Sequence, residues 1–382
     1  MNPNTSGQHV FLDVSITFNL KALVATSVVL IVVNLFTLIS NSVIVLSLVK
    51  FYAIDHQWTR KGNAIPILLM TSLACTDMLI AVCVMPFNVV EMVYNGKWTL
   101  SKLICTARYE VSHLLSIASV LHVTCMALDR FLAVTKPFQY RTYKKRFGIL
   151  LLCASWIIPI AVAILPTINH WHQQGLQDVL TSLENSTTCT RFFNRTFLIT
   201  TISISLYAPL AATYILYAAI LVQIIKNVKK RKSLLTDGTL HSKSKTKVGA
   251  DVKMVELSST TSSNNSCTVN PKFTISTSEA LTTVQDDVIT ERHAKRSSSL
   301  ESGKAYRTIG CILLCLSACY LPVVMVTSVY RYDTLKMPMW LATIMGWLPL
   351  LSSTLNPIIY CSSLTVRRAL HHFYNSSSSF FS

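Results

Sequence analysis

Asp129 and Arg130 stand side by side at the end of the apolar run "LLSIASVLHVTCMAL", and Phe131 and Leu132 follow at once. Opposite charges adjacent to each other in so apolar a stretch can neutralise one another at a low-dielectric boundary. Arg130 also ends a series: Tyr109, Ser112, Ser116, Ser119, Val123, Met126 and Arg130 follow in alternating steps of three and four. Those steps define one seam along a helix. The outer half of the seam is polar and its inner end is cationic, so one face links a polar cavity to a charge pair. For Ser112 and Ser116 simple packing is the alternative, because small residues let membrane helices approach closely. Asp77 lies in "SLACTDMLIAV". A lone carboxylate there is protonated, hydrogen-bonded or paired with a cation. Asn41, Ser119, Ser353 and Asn356 are its candidate polar neighbours. A hydrated sodium ion and a protonated structural carboxyl both meet the requirement. In "STLNPIIY", Asn356 precedes Pro357 and Tyr360 follows three residues later. Proline frees a carbonyl and weakens the helix locally, which suits a hinge. No nucleophile–base pair or Cys/His cluster has workable spacing for catalysis or zinc, so an enzyme is not expected.

The elements that must position these groups are membrane helices. Of 382 residues, 51% are hydrophobic and 13% charged, where soluble domains carry roughly 25% charged residues. The mean hydropathy of +0.45 agrees. A helix crossing the hydrocarbon core needs about 20 mostly apolar residues. Seven runs qualify: Ala22–Val49, Ala64–Val90, Tyr109–Leu128, Phe147–Pro166, Phe197–Ile225, Thr308–Tyr330 and Met339–Ser362. Their internal prolines are tolerated in lipid because neighbouring groups re-satisfy the freed carbonyls. The net charge of +17 invites a nucleic-acid reading, but the basic residues segregate by side instead. With alternating loops, one side receives only Lys21, Lys97, Lys102, Arg108, Arg191, Arg195, Arg331 and Lys336 of the 34 Lys and Arg. The richer side is expected to be cytoplasmic. This makes a multi-pass plasma-membrane protein with its N-terminus outside and its C-terminus inside, and no nucleic acid as partner.

Asn4, Asn185 and Asn194 head N-x-S/T triplets on the outer side and are candidate glycosylation sites. Cys105 and Cys189 are the two cysteines on that oxidising side, which predicts one disulfide. The expected layout is an extracellular tail 1–21, helices one to five in 22–226, a disordered Ser/Thr-rich cytoplasmic loop 227–303, helices six and seven in 304–362, and an amphipathic eighth helix with a short tail in 363–382. Leu364, Arg367, Arg368, Leu370 and Phe373 set the eighth helix on the bilayer surface.

In order and together, these marks resemble the rhodopsin-like (class A) G-protein-coupled receptors. The resemblance rests on Asn41, "SLACTD" with Asp77, Cys105, "DRF" with Arg130, Trp156, Pro166, Pro209, Tyr217, "CYLP" with Pro322, and "NPIIY". "WTLSKLIC", "ALDRFLAVTKPFQY" and Trp347 are closest in texture to the biogenic-amine branch. The resemblance implies an all-α bundle of seven transmembrane helices with a cytoplasmic helix eight. It implies that an extracellular small ligand activates a heterotrimeric G protein through outward movement of helix six, with kinases and arrestin as further cytoplasmic partners. Asp129 would hold Arg130 at rest, and Tyr217, Tyr320, Pro322, Asn356, Pro357 and Tyr360 would complete the switch. A sodium ion at Asp77 would be an allosteric cofactor.

The sequence departs from the amine pattern at the ligand end. Eighteen residues before Arg130, where amine receptors carry an aspartate, stands Ser112. An uncharged hydroxyl offers no ion pair. Tyr320 replaces the usual tryptophan of helix six, and Val323 and Val324 replace an aromatic pair. The remaining candidate pocket is Asn88, Glu91, Tyr109, Ser112, His113, Ser116, Thr201, Ser205, Tyr320, Thr327 and Trp347. Glu91 or Glu110 would serve as a substitute anchor for a cation, or else would lie at the wet boundary. Two other functions stay open: a receptor-like protein with constitutive activity, and a seven-helix transporter or channel.

Overall fold

The computed structural model describes residues 20–54, 64–94, 97–175, 189, 194–248, 307–326 and 339–381. Helix α1 is Leu20–Ile54. Helix α2 runs Ala64–Cys83 and, after a break at Val84, Met85–Val93. Pro86 at the start of the second segment has no N–H to continue the ladder, which explains the break. Helix α3 is Lys102–Thr135, capped by the Ser101 hydroxyl, which accepts from the Ile104 N–H at 3.3 Å. Lys136 separates it from α4, Pro137–Ile168, which opens on a proline, a residue pre-organised for a first helical turn.

Helix α5 is Arg195–Ile202, then Ser203–Tyr207 wound as a π-helix, then Ala208–Val248. The Ala208 N–H bonds to the Ser203 carbonyl. The wider turn sits directly ahead of Pro209, whose missing N–H and ring displace the ladder. Helix α6 is Arg307–Val326, α7 is Met339–Tyr360 and α8 is Leu364–Phe381. Among the described residues α1 to α6 are long and apolar enough to cross a membrane. Helix α7 has 22 residues, about 33 Å of rise, which matches the hydrocarbon thickness.

Two boundaries differ from the hydropathy reading. Helix α3 extends beyond Tyr109–Leu128 at both ends, because hydropathy marks only the part suited to lipid while the backbone ladder continues past it. Helix α5 runs past Ile225 to Val248, and residues 249–306 lie outside the described residues. By its contacts the chain divides into Met1–Ile220 with Lys304–Ser382, and Leu221–Gly303.

The first unit packs around Leu48, Leu69, Leu73, Val120, Val123, Met126, Ile312, Leu313, Leu316 and Tyr360, all fully or nearly fully buried. Lipid is as apolar as these side chains, so close packing and polar contacts must fix the helices against one another. Thr37 and Thr354 hydroxyls meet at 2.8 Å between α1 and α7, and Thr124 and Thr213 at 2.9 Å between α3 and α5. Tyr214 donates to Ser317 at 2.7 Å between α5 and α6. His122 ties three helices. Its Nδ1 lies 2.7 Å from the Ala118 carbonyl, which only accepts, so Nδ1 carries the proton. Its Nε2 is left to accept from the Ser72 hydroxyl of α2 at 2.8 Å, and that same oxygen accepts from Trp156 Nε1 of α4 at 2.9 Å. Large apolar side chains such as Val29, Val32, Ile157, Ile158, Ile204 and Ile215 remain exposed on α1, α4 and α5, as lipid-facing positions require.

Gly310 of α6 lets that helix approach α5. A Cβ there would collide with the hydroxyl of Tyr217 and come within 2.7 Å of its Cζ. Gly310→Ala is expected to destabilise the bundle by about 1 kcal/mol, the low end for overpacking, because the atoms it meets are the far end of the half-buried Tyr217 side chain, which can swing aside. The check is a thermal unfolding series on the purified protein. Gly310→Ala with Tyr217→Leu is expected to recover most of the loss, as coupled neighbours do; an equal loss in both backgrounds refutes the contact.

Candidate functional site

At the inner end of α3, Asp129 is fully buried. Its Oδ2 accepts from Arg130 Nε at 2.8 Å and Nη2 at 2.6 Å. Its Oδ1 accepts from the Tyr140 hydroxyl of α4 at 2.6 Å. The carboxylate is thus held by two N–H groups of its neighbour and one phenol from the next helix, which compensates its desolvation. Tyr140 was not singled out by sequence; its signal is the short link through Lys136, which folds α4 back beside the end of α3.

Above this pair the α6–α7 side of the switch is buried. Tyr360 is fully inaccessible, and Pro357 and Asn356 are buried beneath it. Tyr217 is half-buried against the core, and Pro322 lies inside α6. Tyr320 is 7% exposed, with Ser116 and Ser352 beside its hydroxyl. At the inner ends of α6 and α7, Thr308 and Ser362 hydroxyls meet at 3.0 Å.

Asp77 sits at the centre of the bundle with no exposure. Its Oδ2 accepts from Asn356 Nδ2 at 2.8 Å. Asn41 Nδ2 donates to the Thr37 and Ser353 carbonyls at 2.9 and 3.2 Å. Five buried oxygens around this centre make no hydrogen bond: Asp77 Oδ1, Asn41 Oδ1, Ser353 Oγ, Asn356 Oδ1 and the Tyr360 hydroxyl. Of the predicted neighbours, Asn41, Ser353 and Asn356 line this centre. Ser119 instead bonds back to the Leu115 carbonyl at 3.0 Å.

At the outer end, Cys105 and Cys189 form the expected disulfide. Tyr109 donates to the Cys189 carbonyl at 3.0 Å. Asn88 and Glu91 both accept from Arg108 Nη1, at 2.9 and 2.6 Å. Arg108 was counted only as an outer-side charge. Its placement one turn outward of Ser112, opposite an acidic α2, is the signal that identifies it. Glu110 accepts from the Thr167 hydroxyl of α4. Ser112, His113 and Ser116 are half-buried on α3, as are Thr201 on α5 and Trp347 on α7. Ser205 is buried and bonds to the Thr201 carbonyl at 2.6 Å. Thr327 lies outside the described residues. Among the glycosylation candidates, Asn4 and Asn185 also lie outside them. Asn194 caps α5, its Oδ1 accepting from the Phe197 N–H at 2.9 Å and its Nδ2 donating to the Gln174 carbonyl at 3.3 Å.

The arrangement is a helix bundle with the Arg108–Glu91 ion pair near the start of α3, a buried carboxylate on α2 and a held charge pair near the end of α3. Known proteins share the sequence behind it. The family model described as 7 transmembrane receptor (rhodopsin family) matches residues 56–360. The octopamine receptor beta-2R of Drosophila melanogaster is 27% identical over 312 residues, 79% of this chain and 53% of that one. The 5-hydroxytryptamine receptor 4 of Cavia porcellus is 32% identical over 160 residues, 40% of this chain and 41% of that one. The D(1B) dopamine receptor of Xenopus laevis is 28% identical over 222 residues, 58% of this chain and 46% of that one. The chain thus spans about half the length of these relatives. These are receptors and not enzymes, and the match runs through every helix that carries the inner pair, the buried carboxylate and the disulfide. The chain belongs to the rhodopsin family of seven-transmembrane receptors.

Proposed function

We propose that the protein couples a small extracellular ligand, amine-like in class, to a heterotrimeric G protein, through a population shift between inward and outward positions of α6. The observation that carries this reading is the buried Asp129 holding Arg130 with Tyr140 as its third contact. Such a pair is stable while α3 and α4 stay packed, and releasing Arg130 would free a cation at the inner mouth. The Thr308–Ser362 contact and the close approach of Gly310 to Tyr217 would both break as α6 moves out. A ligand drives that shift only by the difference in its affinity for the two states. In the same reading the N-terminus is extracellular and the C-terminus cytoplasmic, in the plasma membrane, and kinases and arrestin act on the cytoplasmic side.

The buried centre fits a sodium ion. Asp77 supplies the anionic oxygen, and Asn41, Ser353 and Asn356 supply neutral oxygens. Bound there, the ion would contribute positive charge that offsets the carboxylate. Because these oxygens come from α1, α2 and α7, sodium favours the packed arrangement and opposes activation.

The test is nucleotide exchange on purified G proteins of each class by the receptor in nanodiscs, against a panel of small amines and a ligand-free control. Exchange above that of empty discs is expected. Sodium at 100-fold its dissociation constant, which shifts a conformational equilibrium by about 2.7 kcal/mol if only one state binds, is expected to lower basal exchange. Asp77→Asn, which keeps the Asn356 contact but loses the charge, is expected to abolish that sodium effect. No exchange on any G protein would overturn the receptor reading, and a sodium effect that survives Asp77→Asn would remove the ion from this site.

A further inference from the structure

Arg108 is the cation at the outer mouth, and its surroundings are those of a bound ligand. Its side chain is 6% exposed. Nη1 donates to the Glu91 carboxylate at 2.6 Å and to Asn88 Oδ1 at 2.9 Å. The guanidinium carbon lies 4.7 Å from the centre of the Tyr109 ring and 5.1 Å from that of Trp98. Nη2 faces Cys189 Sγ at 3.7 Å. A carboxylate, an amide oxygen and two aromatic faces gathered around one positive charge is the composition of a cation-recognition site.

The cage is assembled from separate parts of the chain. Asn88 and Glu91 come from the second segment of α2, Trp98 from the stretch before α3, and Tyr109 from α3 itself. Only the occupant is tethered. The exposures are unequal: Glu91 is 28% exposed while Arg108 is 6% exposed. An incoming cation therefore reaches the carboxylate from solvent before the guanidinium has to leave. One turn inward Ser112 carries no charge, so the outer half of the α3 seam offers no carboxylate of its own, and Glu110 is turned to Thr167.

We propose that Asn88, Glu91, Trp98 and Tyr109 form a binding subsite for a guanidinium or ammonium head group, which Arg108 fills from within, so that a cationic ligand enters by displacing the Arg108 side chain. The tether gives Arg108 a high effective concentration in the cage. Weak cations are therefore excluded, and only a ligand with further contacts deeper in the cavity competes. The proposal deepens the reading of the outer cavity as the ligand entrance. Its test uses no signalling readout, so its failure and the failure of the receptor reading are separable.

The experiment is thermal unfolding of the full-length purified receptor titrated with N-ethylguanidinium chloride, with sodium chloride as the ionic-strength control. Arg108→Ala is expected to gain about 2–4 °C at a tenfold excess over the dissociation constant. The wild type is expected to need on the order of a hundredfold more probe for the same gain, because the tethered side chain competes. Adding Glu91→Gln to Arg108→Ala is expected to remove the response. Arg108→Gln, which keeps a donor for Asn88 and most of the volume, serves if the alanine variant does not fold, and should show the same selectivity with a smaller shift. Equal shifts in wild type and variants, no shift in either variant, or a shift that survives Glu91→Gln would each overturn the proposal.

Discussion

Arg130→Ala is expected to reduce receptor-dependent nucleotide exchange to the level of empty membranes while the protein still reaches the cell surface. The loss follows from position: Arg130 is the inner terminus of the α3 seam, and its guanidinium is the charge that the α6 movement would uncover. The fold should survive. Removing one partner of a buried pair costs about 3–5 kcal/mol when the other charge is left alone. Here the Arg130 side chain is 14% exposed and Asp129 keeps the Tyr140 hydroxyl at 2.6 Å, so the cost falls at the lower end. Tyr140→Phe is the companion variant with the opposite sign. It deletes a hydrogen bond to a charged group, about 1.5–3 kcal/mol, from the packed state. A shift of that size changes a two-state ratio by tenfold or more, so basal exchange should rise. Exchange by Arg130→Ala equal to wild type, at matched surface level, would sink the role assigned to the pair.

Cys105→Ser is expected to give the second large effect, a loss of about 2–4 kcal/mol in stability with reduced surface expression. The bond closes a loop with a sequence separation of 84. Loop-closure entropy alone puts a loop of that length at about 4–5 kcal/mol. Helices α3 and α4 lie within the loop and remain inserted when the bond is cut, so the chain gains less freedom than a free loop would. The bond also fixes Cys189 where its carbonyl accepts from Tyr109 and its sulfur faces Arg108. Breaking it therefore loosens the rim of the outer cavity. Unfolding midpoints of wild type, Cys105→Ser, Cys189→Ser and the double variant, with and without reductant, check this. The three variants should match one another and the reduced wild type; a wild type indifferent to reductant refutes the contribution.

Much of this was legible before any helix was placed against another. The runs of apolar residues located the helices; the break of α2 at Pro86 and the π-turn before Pro209 came only with the structure. Asn41, Ser119, Ser353 and Asn356 were read as neighbours of Asp77 because a carboxylate in lipid must find polar company; Asn356 bonds to it, while Ser119 bonds back to its own helix. The outer cavity was not legible in the same way. Glu91 read as a substitute anchor or as a wet-boundary residue, and the structure pairs it with Arg108. Glu110 read as its equal, yet one helical step turns it towards Thr167.

The sequence by itself determined which segments are helical in the membrane and which charges lie within them. In lipid every backbone N–H and C=O must be satisfied within its own helix, so span and composition are local properties. Only the tertiary structure decided which side chains meet. Tyr140 on Asp129, Arg108 in its cage and Gly310 beneath Tyr217 depend on the rotation and offset of each helix about its axis. Hydropathy does not encode those two quantities, because an apolar face is equally at ease against lipid and against another helix. Close packing and a handful of polar contacts set them.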